Sequence, residues 1–96
     1  MLRQLQQEYA DRGLAVVGIA LDEPGRARQF AADLEIDYTI LFGLADAMLV
    51  GRQFGNDSGM LPYSVLVDAE GIIRWTRLGA VTRQQLKGQL EPLLQP

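Results

Sequence analysis

The chain is short, acidic and contains neither cysteine nor histidine. Its 96 residues suffice for one domain with a modest core, and the 48% hydrophobic and 22% charged residues are typical of a globular protein. The net charge of −3 and the scattered arginines lack the basic surface expected of nucleic-acid binding. Without histidine and cysteine, the sequence excludes the usual neutral-pH general base, a thiolate nucleophile, disulfides and Cys-type zinc sites.

The first segment, residues 1–12, predicts a helix. Leu2, Leu5 and Tyr9 recur near helical spacing among polar residues, and Gly13 follows where a left-handed residue favours the end of a helix. This polar start differs from the charged and then apolar regions of a signal peptide, so the sequence predicts none. No apolar run reaches the length of a membrane span.

A continuous apolar run, "LAVVGIAL" (Leu14–Leu21), predicts a strand buried on both faces, as in a parallel sheet covered by helices. Asp22-Glu23-Pro24 ends this strand and begins a second helix, because proline is tolerated in the first helical turn. The apolar stripe of that helix comprises Ala27, Phe30, Ala31 and Leu34.

The middle of the chain predicts a short strand, a weaker helix and a loop. The strand is "YTILF" (Tyr38–Phe42), and the helix covers Ala45–Phe54 with Gly51 as an unfavourable residue inside it. The composition of "GNDSG" (Gly55–Gly59) is typical of a loop.

The last third predicts a hairpin followed by a helix. The strands are Tyr63–Val67 and Ile72–Leu78, and the short turn Asp68–Gly71 requires them to pair antiparallel. Thr82 and Gln85 have the spacing of a capping box at the start of the helix. Its predicted buried stripe comprises Leu86, Leu90, Leu93 and Leu94.

The order of these elements predicts an α/β fold in a single domain over residues 1–96. Helices and strands first alternate as in a parallel sheet, and the C-terminal hairpin adds an antiparallel edge. The sequence contains no internal repeat, low-complexity stretch or linker.

The proline of Leu61-Pro62 directly precedes the first hairpin strand. The first residue of a strand is one of the few places where proline is tolerated, so packing alone could explain it. However, the ordered set "EYADRGLAVVGIALDEP" and "LPYSVLVDAEGIIRWTRLGAVTRQQLKGQL" resembles the thioredoxin fold over the whole chain. More narrowly, it is similar to thiol-disulfide oxidoreductases of the TlpA/ResA type, which are relatives of the redoxin domains.

The resemblance implies disulfide reduction or exchange in the cell envelope or periplasm, without a cofactor. It also implies a cis Leu61-Pro62 bond, which is accessible because X-Pro bonds favour trans only weakly. Leu61 would then present its backbone N–H and C=O to an extended peptide, and Met60 and Leu61 would add an apolar rim. The expected substrate-binding residues are therefore Met60, Leu61 and Pro62.

The sequence departs from that family at its redox centre. The family's Cys-x-x-Cys motif precedes the part that aligns with residues 1–12, so we expect a thioredoxin-like domain that is truncated before its N-terminal core strand and is itself redox-inactive. The alternative is a degenerate, non-catalytic module that binds peptides or partner proteins, cytoplasmic if the short chain is the native product. A missing interior strand would leave a gap in the sheet, which the chain would either close by re-pairing its strands or use to form a homodimer.

Other polar residues are weaker candidates for a site. Asp22 and Glu23 follow a strand at its carboxyl end, where ligands bind in open α/β sheets, although acids there often serve as helix caps. The acids at positions 33, 35 and 37 lack the ligand pattern of a calcium loop, so no metal site is predicted. Trp75 is interpreted as a packing residue, and the serines lack a histidine that could activate them.

Overall fold

A computed structural model describes residues 1–95 and contains four helices and four strands within that range. The chain divides into two compact units, residues 1–50 and the residues from Gly51 onward. In chain order the elements are α1 (Leu2–Tyr9), β1 (Val17–Leu21), α2 (Pro24–Asp33), β2 (Thr39–Gly43), α3 (Ala45–Gln53), β3 (Tyr63–Val67), β4 (Ile73–Leu78) and α4 (Arg83–Leu90). No helix within residues 1–95 is both long and apolar enough to cross a membrane.

The first helix has the predicted buried side. Leu5 and Tyr9 are buried, and Leu2 is half-buried. The chain continues from α1 into a single 3₁₀ turn, Ala10–Arg12, and Gly13 ends it with φ of 96°, a conformation that favours glycine. The predicted helix and its stop are therefore confirmed.

The first strand is shorter than predicted because the side chain of Gln6 hydrogen-bonds the main chain that precedes it. Gln6 Nε2 donates a hydrogen bond to the Leu14 carbonyl at 2.8 Å, and Gln6 Oε1 accepts one from the Val16 N–H. These backbone groups are therefore bonded to a helix side chain rather than to a neighbouring strand. β1 begins at Val17 and pairs in parallel with β2 over five residues.

The prediction that this strand is buried on both faces is wrong. Val17, Ile19 and Leu21 remain 52%, 46% and 38% exposed. In the parallel register, Ile19 lies beside Leu41, so the same face of both strands is open. The opposite face of this sheet is partly covered, since α2 packs there and forms with β2 a small cleft of about 150 Å³, although Phe42 stays 45% exposed.

The predicted stripe of α2 is buried only in part. Ala27 is buried and Ala31 half-buried, and both line that cleft with Ile40 and Phe42. The prediction that Phe30 and Leu34 are buried with them is wrong, since these side chains are 59% and 58% exposed. A sheet of two strands spans about 5 Å between strand axes, which is too narrow to cover a whole helix face.

The hairpin of the second unit forms as predicted, with β3 and β4 antiparallel and β4 beginning one residue later, at Ile73. Val67 pairs with Ile73 and Leu66 with Trp75, so Arg74 is the extra residue of a β-bulge. The bulge places Arg74 Nε 2.6 Å from Asp68 Oδ2 in the turn. Trp75 is half-buried opposite Leu66, consistent with a packing role.

The last helix begins with the predicted capping box. Thr82 Oγ1 accepts from the Gln85 N–H, and Gln85 Oε1 accepts from the Thr82 N–H. The predicted stripe is incomplete, because Leu90 is buried but Leu93 is 37% exposed. The α-helix ends at Leu90 and tightens into a 3₁₀ turn over Glu91–Leu93, where Pro92 has no N–H to continue the helical bonding.

Candidate peptide-facing loop

The predicted substrate-binding residues stand together at the start of the hairpin. Met60, Leu61 and Pro62 immediately precede β3, and the Leu61-Pro62 peptide bond is cis. The Gly79 N–H donates a 2.8 Å hydrogen bond to the Pro62 carbonyl, which extends the β3–β4 pairing by one residue. We call residues 54–62 the Pro62 loop.

The N-terminal end of the Pro62 loop, at Phe54, is hydrogen-bonded to Tyr63, the first residue of β3. The Tyr63 hydroxyl donates a 3.0 Å hydrogen bond to the Phe54 carbonyl. Gly55 lies beside this bond with φ of 98°, and a Cβ placed there would be 3.0 Å from the Tyr63 oxygen. Both the backbone conformation and the close approach therefore favour glycine at this position.

The centre of the loop is organised around Asn56, whose side chain is buried at 6% exposure. Asn56 Nδ2 donates to the Met60 carbonyl at 3.0 Å, and Asn56 Oδ1 accepts from the Ser58 hydroxyl at 3.2 Å. Ser58 Oγ in turn accepts from the Met60 N–H at 3.2 Å. Both backbone groups of Met60 are thus bonded within the loop.

Leu61 differs from Met60 and Pro62 in its main-chain hydrogen bonding. Within residues 1–95, its N–H and C=O take part in no hydrogen bond, whereas the carbonyls of Met60 and Pro62 are each bonded. The side chains of Met60 and Leu61 are 62% and 59% exposed. Leu61 therefore presents one main-chain donor and one main-chain acceptor beside the exposed side chains of Met60 and Leu61.

The groups that the loop presents suit recognition of a peptide. Asp57 is its only charged residue, and the Ser58 hydroxyl is committed to Asn56 and Met60. An extended peptide can pair with the backbone groups of Leu61 as an added strand would, and apolar peptide side chains can contact the rim.

The two predicted site-adjacent carboxylates lie in the first unit, directly after β1. Asp22 Oδ1 accepts from the Glu23 N–H at 2.8 Å, and Glu23 Oε1 accepts from the Arg26 N–H at 3.2 Å. Glu23 is therefore the N-cap of α2, which satisfies one of the helix's free N–H groups. A further role of Asp22 and Glu23 at a site stays a prediction.

The three acids of the α2–β2 connection are not brought together as ligands. Asp33 accepts from Gln29, Glu35 pairs with Arg3, and Asp37 accepts from Gln7. Among residues 1–95, no group of three or more acidic, cysteine or histidine side chains could hold a metal ion.

Asn56 is the site residue that sequence reasoning missed. The segment Gly55–Gly59 was predicted as a loop from its composition alone. Asn followed two residues later by Ser is a pattern in which short polar side chains bond nearby backbone, and it could have drawn attention to this position. What the pattern cannot reveal is that the Asn amide is buried.

Comparisons with known proteins agree with this architecture. A family model described as the AhpC/TSA family matches residues 1–76. The solution structure of a candidate thioredoxin from Neisseria meningitidis resembles the chain with a TM-score of 0.80 and 23% sequence identity, covering 96% of this chain and 60% of that one. The chain thus spans about 60% of the length of that structure, and the likeness confirms the thioredoxin-like α/β fold with a C-terminal antiparallel strand pair. No curated protein matches the chain.

Proposed function

The chain belongs to the AhpC/TSA family, and from this membership we propose that it forms the substrate-facing part of a thiol-disulfide oxidoreductase of the TlpA/ResA type. In this proposal the Pro62 loop binds an extended polypeptide whose disulfide is reduced or exchanged. The binding residues are Met60, Leu61 and Pro62. The location that this type of enzyme favours is the cell envelope.

The observation that carries the proposal is the backbone of Leu61. A donor and an acceptor that lack partners in an ordered loop, flanked by bonded carbonyls on both sides, suit pairing with one residue of an extended chain. The exposed side chains of Met60 and Leu61 support the same use, because flexible apolar groups accommodate varied sequences.

The 96 residues by themselves supply binding and not exchange. Disulfide exchange requires attack by a thiolate, and the sequence contains no cysteine. The same fact favours the second candidate, a non-catalytic module that binds peptides or partner proteins. The coding sequence upstream of Met1 separates the two: an in-frame strand followed by Trp-Cys-x-x-Cys supports the oxidoreductase, and a stop codon there refutes it.

Peptide binding is tested by NMR titration of the ¹⁵N-labelled chain with insulin B chain whose cysteines are blocked with neutral carbamidomethyl groups. We expect shift changes concentrated at Met60 and Leu61, with a dissociation constant in about the millimolar range, since few groups are in contact. Leu61→Ser removes apolar contact and weakens binding, whereas Leu49→Ser changes the same residue type at a similar exposure of 57% and leaves binding unchanged. Equal affinity in the two variants, or shifts spread away from the loop, contradicts the assignment.

Catalysis is tested by insulin reduction with dithiothreitol. The rate with the 96-residue chain should equal the rate of the uncatalysed reaction, because no mixed disulfide can form. A rate above that of dithiothreitol alone would overturn the argument from the missing thiolate.

We also propose that the chain self-associates through its sheets. Within residues 1–95, β1 pairs only with β2 and β3 only with β4, so each has an edge without a ladder partner. The open apolar face with Val17, Ile19 and Leu41 adds area that a second copy could bury. Light scattering during size exclusion should show a dimer that Ile19→Lys converts to monomer. A wild-type monomer at high protein concentration would refute self-association.

A further inference from the structure

Asn56 is the only buried polar residue among residues 1–95. Its main chain is bonded to the preceding helix, α3, since the Asn56 N–H donates a 2.9 Å hydrogen bond to the Gly51 carbonyl. Its side-chain amide then uses both ends, the Nδ2 on the Met60 carbonyl and the Oδ1 on the Ser58 hydroxyl. No buried side-chain nitrogen or oxygen in the described residues is left without a partner.

The hydrogen bond from Asn56 to the Met60 carbonyl also orients the N–H of Leu61. The Met60 C=O and the Leu61 N–H belong to one peptide unit, which is planar and is trans here. In a trans peptide unit these two groups point in opposite directions. Holding the Met60 carbonyl toward the buried Asn56 amide therefore turns the Leu61 N–H away from Asn56.

From this geometry we infer that Asn56 is a positioning residue, which aims the Leu61 N–H at an incoming peptide strand. The inference rests on the proposed function of the Pro62 loop and extends it by naming the group that orients its donor. Asn56 itself touches no substrate; it acts through the Met60–Leu61 peptide unit. Ser58 holds the Met60 N–H, which belongs to the preceding peptide unit, and so it orients the Leu61 N–H less directly.

The test compares two variants that remove different halves of this network. Asn56→Asp keeps an oxygen for the Ser58 hydroxyl but places a carboxylate oxygen against the Met60 carbonyl, so the peptide unit loses its donor. Ser58→Ala leaves the Asn56 bond to the Met60 carbonyl in place. We expect Asn56→Asp to weaken binding of the carbamidomethylated insulin B chain about ten-fold, as the loss of one oriented hydrogen bond implies. For Ser58→Ala we expect a change of about two-fold or less.

A second measurement needs no peptide. Residual dipolar couplings of the ¹⁵N-labelled chain report the direction of the Leu61 N–H, and we expect this coupling to change in Asn56→Asp and to persist in Ser58→Ala. Thermal unfolding of both variants shows whether either is broadly destabilised. Asn56→Ala, which keeps neither end of the amide, should behave as Asn56→Asp in both measurements.

The outcomes separate this inference from the proposed function. If the wild-type chain binds no peptide, the proposed function fails, while the dipolar couplings still decide whether Asn56 orients the Leu61 N–H. An unchanged Leu61 coupling in Asn56→Asp overturns the positioning role. Equal loss of peptide affinity in Asn56→Asp and Ser58→Ala also overturns it, because general loosening of the loop would then suffice.

Discussion

The two sheets of the molecule are both partly open, but in different ways. The β1–β2 sheet exposes apolar side chains on one face, among them Val17, Ile19 and Leu41. The β3–β4 hairpin also exposes apolar side chains, namely Val67, Ile73 and Leu78, and in addition it follows a loop whose backbone groups are open at Leu61. Apolar area is non-directional and suits association with any complementary surface, whereas a donor and acceptor held in place specify an extended strand. This difference is why the substrate site is proposed at the loop before the hairpin, whereas the apolar face of the parallel sheet is proposed to add area for self-association.

Side chains bond nearby main chain in both units, but the units differ in what they bury, since the buried residues described from Gly51 onward are Asn56 and Leu90. Near the hairpin, Asn56, Tyr63 and Asp68 each bond main-chain groups within nine residues in sequence. In the first unit, the buried side chains are the apolar or aromatic residues Leu5, Tyr9 and Ala27. We therefore expect loss of apolar volume to be most damaging in residues 1–50, and changes of backbone geometry or polar bonding to be most informative near the hairpin.

The largest effect is expected from Leu5→Ala. Leu5 is completely buried, so the substitution removes buried apolar volume and leaves a cavity, which lowers the free energy of unfolding by about 2–5 kcal/mol. Urea denaturation followed by circular dichroism measures the change. The control is Leu41→Ala on the open face of β2, where the side chain is 52% exposed and the loss should stay below about 1 kcal/mol. Similar losses in both variants would show that the open face is covered in solution.

An intermediate effect is expected from Gly55→Ala in the Pro62 loop. Alanine at φ of 98° is strained, and its Cβ would press on the Tyr63 hydroxyl. We therefore expect the free energy of unfolding to fall by about 1–2 kcal/mol. Gly88→Ala is the matched control, because a Cβ there meets no atom within 4 Å and Gly88 lies inside α4. The control should gain about 0.5–1 kcal/mol in stability. Denaturant midpoints that move in the same direction for both variants would contradict the strained geometry at Gly55.

Features of the fold that depend only on residues close in sequence were predicted better than features that depend on distant elements. The Thr82–Gln85 capping box, the stop at Gly13 and the Asp68–Gly71 turn follow from hydrogen bonds and backbone conformations within a few residues, and all three were predicted from the sequence. Burial of Ile19 and Phe30 was predicted wrongly because it depends on which elements cover a surface, and an apolar run cannot report that.

The candidate site divides in the same way. Residues Met60, Leu61 and Pro62 could be named from the sequence because the run around them resembles a known family. The role of Asn56 could not be named, since it requires a buried amide aligned with a particular carbonyl. A loop composition predicts that polar bonds form, but not which peptide unit they orient.

The smallest expected effect, and the one specific to the hairpin, is a pH dependence from Asp68. Its carboxylate accepts hydrogen bonds from the Ile72 and Glu70 N–H groups and from Arg74 Nε. The pKa of Asp68 is lowered, chiefly because the Ile72 N–H stabilises the charged form, with further lowering from Arg74 and Glu70 against a partial desolvation that opposes it.

A lowered pKa in the folded state means that the carboxylate stabilises the fold above its ordinary pKa of about 4 and that this stability is lost as the pH falls through the lowered value. Asp68→Asn should therefore reduce the thermal midpoint at pH 7, and the difference from wild type should shrink below about pH 4. Glu70→Gln, in the same turn, serves as the control, because it keeps the main-chain N–H that donates to Asp68, and at pH 7 it should lower the thermal midpoint less than Asp68→Asn. A difference between Asp68→Asn and wild type that stays constant from pH 7 down to pH 2 would show that the turn needs the shape of Asp68 and not its charge. The order of the hairpin would then depend on the geometry of its hydrogen bonds alone, as we propose for Asn56 in the Pro62 loop.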